Sequence, residues 1–273
     1  MDSSTFALFF DVVLTGTLLS LLLPLLGAAL LLRRELFLGA AVAQTGSLGI
    51  AAWIAAGLGD GAGSLGAGMG AAIAAGVIGM RSGTPRGGGL QAGAAWLFLL
   101  GGSGAMLLLA DAPHGMQAIE QLQLSSLLGA TRGDVWVAGV GLVAVLAALL
   151  LRGRVLLLWA LDPATATVHG HPVRTLDALA GATIGAALGF SIHATGLPFT
   201  FGATVLPVLA ARELVGTLRG VLVMAPLLGA GAFVTAWWWA DRADLPPGQC
   251  AVVLLAGAVA VARLAARLRS RPR

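Results

Sequence analysis

Nine apolar runs, near residues 8–32, 37–58, 65–80, 91–110, 135–151, 176–195, 199–215, 220–240 and 248–266, constrain this chain more than anything else in it. A helix needs about 20 predominantly apolar residues to cross the roughly 30 Å hydrocarbon core of a bilayer. Most of the runs approach or exceed that length, and they lack the alternating in/out pattern of barrel strands. Only 10% of the residues are charged, against about 25% in soluble domains. The expected fold class is all-α: a polytopic transmembrane helical bundle of eight or nine spans, forming one membrane domain over residues 1–273. The third run holds Gly66, Gly68 and Gly70, and the seventh Pro198, Gly202 and Pro207. Both are therefore candidates for broken or partly crossing spans, which are tolerated only against protein or a water-filled cavity. The longest polar interval, 111–134, still carries Ile119, Leu122, Leu124, Leu127 and Leu128, and is read as room for a short interfacial helix.

The arginines test the span count independently, because cytoplasmic loops are enriched in Arg and Lys. With the N-terminus outside and nine spans, only Arg132 and Arg242 of the sixteen arginines fall outside, and the C-terminus is cytoplasmic. One span more or fewer before residue 150 destroys this partition. The net charge of +4 is thus a topology signal. Nucleic-acid binding is excluded as a reading, since the arginines are scattered over short loops instead of forming one patch. The stretch MDSSTF lacks the basic region of a cleavable signal, so the first span is expected to stay in place. The single cysteine, Cys250, excludes an intrachain disulfide and reads as apolar filler. There is no lysine, so the phosphate-cradling G-x-x-x-x-G-K-[ST] pattern cannot occur. The chain is expected not to be an enzyme, and any ATP hydrolysis that drives it must sit on another chain.

Between the fifth and sixth runs lies LDPATATVHGHPV, residues 161–173. Asp162 suits an N-cap, Pro163 the first helical position, and Gly170 the residue past the end. A short cytoplasmic helix over 162–171 is expected, either as a capped connector or as a docking element for a partner. His169 and His171 are spaced i, i+2, which does not favour shared metal ligation on a helix, and read as solvated loop residues.

Four segments together resemble the permeases of ABC-type zinc and manganese importers. RRELFLGAAVAQTGSLGIA at 33–51 is similar to the family's Arg-Arg pair and the Gly-Asp-x-x-x-His segment that follows it. LQLSSLLGATRGDV at 122–135, the D-x-x-x-A-x-x-x-G of Asp162, Ala166 and Gly170, and GLPFTFGATVLPVLAAR at 196–212 agree in order. The likeness covers nearly the whole chain. It implies a type II ABC importer-like permease in a bacterial inner membrane, surrounded by lipid. A second permease copy, identical or not, and cytoplasmic ATPase subunits carrying ATP-Mg are implied as partners, together with an extracytoplasmic solute-binding protein. The transported metal would be zinc or manganese, with no cofactor bound by this chain. Asp162, Ala166 and Gly170 are the positions to which the resemblance carries the role of coupling to the ATPase.

The chain departs from the family where the acid and histidine are expected, four residues apart on one helix face. Here those positions are Ala40 and Gln44. An i, i+4 pair of carboxylate and imidazole suits zinc or manganese, whereas alanine offers no ligand and an amide one weak oxygen. The candidate translocation pathway comprises Ala40, Gln44 and Ser47 on the second span, with Ser191, His193 and Thr195 near the outer end of the sixth. His193 is the one candidate metal ligand, with a hydrogen-bonded packing residue as its alternative reading. Asp11 reads as an interfacial carboxylate. Gly181, Gly185 and Gly189 form a small-x-x-x-small stripe for close helix approach. Trp237, Trp238 and Trp239 read as an interfacial anchor, and GTPRGGG at 83–89 as a flexible turn. Three functions stay open: importer of a transition metal, or of a metal chelate or other small solute; a degenerate partner subunit or scaffold; and a gradient-driven transporter, which the scarcity of midplane charges disfavours.

Overall fold

The computed structural model describes residues 9–59, 61–82, 89–110, 112 and 129–269. Among them there is no strand, and these described residues form ten helices: α1 (Phe10–Leu32), α2 (Leu36–Ala55), α3 (Ala62–Ser82), α4 (Gly89–Ala110), α5 (Arg132–Leu161), α6 (Pro163–Val168), α7 (Val173–Thr195), α8 (Leu197–Leu214), α9 (Leu218–Ala243) and α10 (Pro247–Arg269). All but α6 are long and apolar enough to cross a membrane, which gives nine spans among the described residues. The interfacial helix expected within 111–134, and the turn at 83–89, fall largely outside the described residues.

Three elements differ from the hydropathy reading. The third span is one continuous helix, α3, despite its glycines. Its Gly68 lies where a β-carbon would come within 2.5 Å of Ile50 on α2, so the residue that weakens the helix locally is what lets the two helices touch. The seventh, α8, is also continuous. Pro198 stands in its first turn, where the missing N–H leaves no bond unmade. The fifth run continues beyond residue 151 to Leu161, bent at Arg152 (φ −128°, ψ 20°). Arg152 and Arg154 therefore sit on a helix, where a loop was expected; the apolar stretch Val155–Leu158 after them continues the helical register.

The chain divides into two compact units, Met1–Ala28 with Ser126–Val145 and Pro198–Arg273, and Ala29–Ser125 with Leu146–Leu197. In the first unit α1 packs closely on α8 and α9. A β-carbon on Gly27 would run into the Thr204 carbonyl, one on Gly16 into the Phe233 ring, and one on Gly229 into the Ser20 carbonyl. Phe199 meets Phe233 edge to face at 5.6 Å between ring centroids, and Ala210, Val259 and Ala262 close the α8–α10 contact. Hydroxyls buried along these helices turn back on their own backbone. Ser20 Oγ donates to the Gly16 carbonyl and Thr204 Oγ1 to that of Thr200, each at 2.7 Å, which satisfies them without water. At the other end of this unit the exposed Arg132 faces the half-buried Asp11 at 3.8 Å, and Arg242 stacks over Trp238.

In the second unit the small-residue stripe of α7 meets a matching one on α3. A β-carbon on Gly76 would strike the Gly181 carbonyl, and one on Gly181 the Gly76 carbonyl. One on Gly185 would strike Ala72, and one on Gly189 would come 2.9 Å from the Met69 Cα. Helix association in a bilayer gains little from the hydrophobic effect, and close van der Waals approach of this kind takes its place. Helix α2 packs on α3, α4 and α7, with Ala43 and Ile50 against Ile192 of α7 and Ala51 against Ala105 and Leu109 of α4.

Gly181→Val puts branched carbon onto backbone that cannot retreat and is expected to cost at least about 2 kcal/mol. Thermal unfolding in detergent reads this. Gly70→Ala on the same α3, where nothing lies within 4 Å of the added carbon, should stay within about 0.5 kcal/mol.

Candidate functional site

Ala40, Gln44 and Ser47 follow i, i+4, i+7 spacing and share one side of α2. Ala40 and Ser47 are buried and Gln44 is half-buried. The Gln44 side chain lies against α4, where a β-carbon on Gly102 would come 3.2 Å from its Oε1 and one on Gly101 would come 2.8 Å from its own backbone carbonyl. Two consecutive glycines on α4 thus leave the room in which this amide sits. Ser47 Oγ is directed at the Ala43 carbonyl at 3.5 Å, a weak contact.

At the far end of α7, Ser191 and Thr195 come together. Their hydroxyls are 3.1 Å apart, and Thr195 Oγ1 donates to the Ser191 carbonyl at 2.7 Å. His193, two residues from each, points to the opposite side of the helix and is exposed. Among the described residues no group of three His, Cys, Asp or Glu side chains is arranged to hold a metal ion.

The loop helix α6 forms for local reasons. Asp162 Oδ1 accepts the backbone N–H groups of Ala164 and Thr165 at 3.1 Å each, and its other oxygen accepts the Thr165 hydroxyl. These bonds, led by that from the Thr165 side chain, hold the Asp162 carboxyl below its ordinary range. Ala166 is fully buried, and Gly170 takes φ +77°, which an L side chain adopts only with strain. His169 Nδ1 lies 2.9 Å from the Thr165 carbonyl and completes the turn.

Beside α6 stands a buried charge cluster that sequence reasoning missed. Helix α1 ends in a Schellman turn: Glu35 N–H bonds the Leu30 carbonyl at 2.8 Å and Arg34 N–H that of Leu31 at 3.0 Å, with Arg34 at φ 60° in the left-handed position usually given to glycine. The turn exposes Arg34 and buries its neighbours. The Arg33 side chain is 5% exposed; its Nη2 lies 3.3 Å from Asp177 Oδ1 on α7 and 3.6 Å from Glu35 Oε1. The guanidinium also sits 5.0 Å from the ring centroid of Trp159 on α5, whose Nε1 donates to Asp177 Oδ1 at 2.8 Å. Burial raises the Glu35 carboxyl from its ordinary 4.5 to about 7; the Arg33 charge opposes the rise and the Asp177 charge adds to it. In sequence Arg33 carried a topology signal and a share of the Arg-Arg pair, with no sign of a buried partner. Asp177, an acid inside an otherwise apolar run, was the available hint.

A bundle with nine candidate membrane spans among the described residues, carrying buried hydroxyls and a half-buried amide, with a capped helix on one connecting loop, is an architecture that suits a membrane permease. Comparison with known proteins gives the family. The model of the ABC 3 transport family matches residues 5–266, and the chain belongs to that family. Among solved structures, PsaBC from Streptococcus pneumoniae in complex with Fab shares the fold with a TM-score of 0.78 at 14% identity, over 95% of this chain and 92% of that one. A transporter described as of metal-chelate ABC type, in an inward-facing conformation, gives 0.77 at 18% identity, over 95% and 88%. No curated protein matches the chain in sequence. The chain is thus a multi-pass ABC transporter permease, with the fold of an ABC importer permease.

The raised Glu35 pKa has a defined sign. Folded protein holds a proton between about pH 4.5 and about pH 7 that unfolded protein releases. This contribution to stability is complete below the lower value and is lost as pH rises through the upper one. The thermal midpoint should fall between about pH 5 and about pH 8, and Glu35→Gln should flatten that slope.

Proposed function

We propose that this chain is the membrane-spanning subunit of an ATP-driven importer for a metal held in a complex or chelate, delivered by an extracytoplasmic binding protein. The observation that carries the reading is the donor chemistry of α2. Where a bare zinc or manganese ion calls for carboxylate and imidazole, the helix presents Ala40 and the neutral amide of Gln44, with the Ser47 hydroxyl one turn on. Amide and hydroxyl groups suit a solute whose charge is already met by its own ligands. Membership of the ABC 3 transport family supports import, and the metal-chelate type of one structural neighbour is compatible with the substrate class.

A second reading, import of free zinc or manganese, draws on the resemblance to zinc and manganese permeases, and would rest on His193. That side chain is exposed and stands alone among the pathway candidates as a strong ligand. In a third, the chain pairs with a metal-competent permease without itself contacting the solute.

In the leading reading two permease copies, identical or different, share the bacterial inner membrane with N-termini outside. The arginine distribution supports this orientation, which puts α6 in the cytoplasm. There Asp162, Ala166 and Gly170 shape a helix that docks on the ATPase, the chain that carries ATP-Mg. The helix is short, but its cap and its buried Ala166 hold it rigid enough to receive a push.

Proteoliposomes containing the permease, its ATPase and its binding protein test the substrate class. ATP-dependent uptake of radiolabelled zinc or iron is expected only when the metal is offered as a chelate; uptake of the free ion with equal efficiency would reject the reading. Asp162→Arg together with Gly170→Trp should abolish co-purification of the ATPase while leaving the permease folded. Undiminished co-purification would remove α6 from the docking role.

A further inference from the structure

We infer that Arg33 is a positioning residue for the transport cycle: by its ion pair with Asp177 and its stacking on Trp159 it fastens the two legs that carry α6 to the turn from which α2 starts. This rests on the reading of α6 as the ATPase contact. It adds a route by which displacement of α6 reaches the helix bearing Ala40, Gln44 and Ser47.

The connectivity is short at every step. Trp159 lies three residues before Asp162 in the last turn of α5, and Asp177 lies in the early part of α7, so the two residues stand on either leg of the hairpin whose tip is α6. The bond from Trp159 Nε1 to Asp177 closes that hairpin. Arg33 then joins the closed hairpin to the α1–α2 turn, where Leu36 begins α2 one residue after Glu35. The Schellman turn fixes the backbone from which Arg33 projects, through the bonds of Arg34 N–H to Leu31 and Glu35 N–H to Leu30.

The chemistry of the cluster favours a moving part over a static brace. Buried ion pairs contribute little net stability, since desolvation offsets most of the attraction, and apolar replacements are often as stable. One guanidinium here stands between two carboxylates on different elements, Glu35 on the turn and Asp177 on α7. Arg33 Nη1 and Glu35 Oε2 are buried without hydrogen-bond partners among the described residues. The network therefore has a donor and an acceptor to spare. A shift of Arg33 from Asp177 toward Glu35 makes as many bonds as it breaks, which gives the discrete second arrangement that coupling between distant sites requires.

The test uses the assembled complex of permease and ATPase in proteoliposomes, with Cys250→Ala as background and Gln44→Cys as reporter on α2. Modification by a water-soluble maleimide is followed with and without ATP and orthovanadate. Trapping is expected to change the rate about fivefold or more. Arg33→Gln should abolish that change while the ATPase still co-purifies and hydrolyses ATP, and Arg33→Lys, which keeps the charge, should retain it. If Arg33→Gln does not fold, Trp159→Phe decides, since it keeps an aromatic face and deletes the donor to Asp177; the change should drop to under half. A full response in Arg33→Gln or in Trp159→Phe overturns the inference, as does equal loss in Arg33→Lys and Arg33→Gln. Failure of the otherwise unaltered complex to retain the ATPase would instead bring down the docking reading, and the inference with it.

Discussion

The second unit depends on the contact of backbone with backbone between α3 and α7. Lipid tails are as apolar as leucine, so helices in a bilayer are held by how closely they approach and not by expulsion from water. Gly76 and Gly181 remove the side chains that would keep these two helices apart, and Ala72, Gly185 and Gly189 extend the seam. With α3 and α7 locked, α2 has a fixed bed. Its Gly49 and Ile50 settle on α3, and its Ala43 and Ile50 on Ile192 of α7. The position of Asp177 near the start of α7, and hence the geometry of everything around α6, follows from the same seam.

Set against this apolar scaffold, the Arg33 cluster is an expensive feature. A buried guanidinium and two carboxylates cost several kcal/mol per ion in desolvation before their attraction is counted. An apolar substitute at Arg33, Glu35 and Asp177 would hold the helices together at least as well. What charge supplies and methyl groups do not is direction, through bonds that can exchange partners. The exposed capped helix a few residues from Trp159 and Asp177 gives that property a use, because it is where an outside force would enter.

Much of the architecture was legible in sequence because the bilayer imposes simple rules. Hydropathy and helix length located the nine spans found among the described residues, and the Asp162–Pro163 pair with Gly170 marked α6, since caps are local chemistry. The stripe of Gly181, Gly185 and Gly189 was legible too, while Gly76 and Ala72, its partners on α3, carried no mark of their own; on the same helix local propensity speaks against Gly66, Gly68 and Gly70, and only the packed neighbour on α2, Ile50, reveals why Gly68 is there. Arg152 and Arg154 looked like the end of a span, yet the helix bends at Arg152 and carries on through Val155–Leu158. The charge cluster was invisible for a different reason. Arg33 and Asp177 are far apart along the chain, and nothing in either local pattern says that they meet. The departure at Ala40 and Gln44 was legible only against a family pattern; the structure adds that Gln44 fills the space left by Gly101 and Gly102.

The central claim is that the face of α2 bearing Ala40, Gln44 and Ser47 belongs to the transport path and answers to α6. A cryo-EM structure of the permease with its ATPase and binding protein, trapped with nucleotide and loaded with a metal chelate, tests it most directly. The account predicts solute density against Gln44, with α6 seated on the ATPase and the Arg33 contacts rearranged between Asp177 and Glu35. Density that bypasses α2, with Gln44 still sealed against α4 and the Arg33 contacts unchanged, would contradict it.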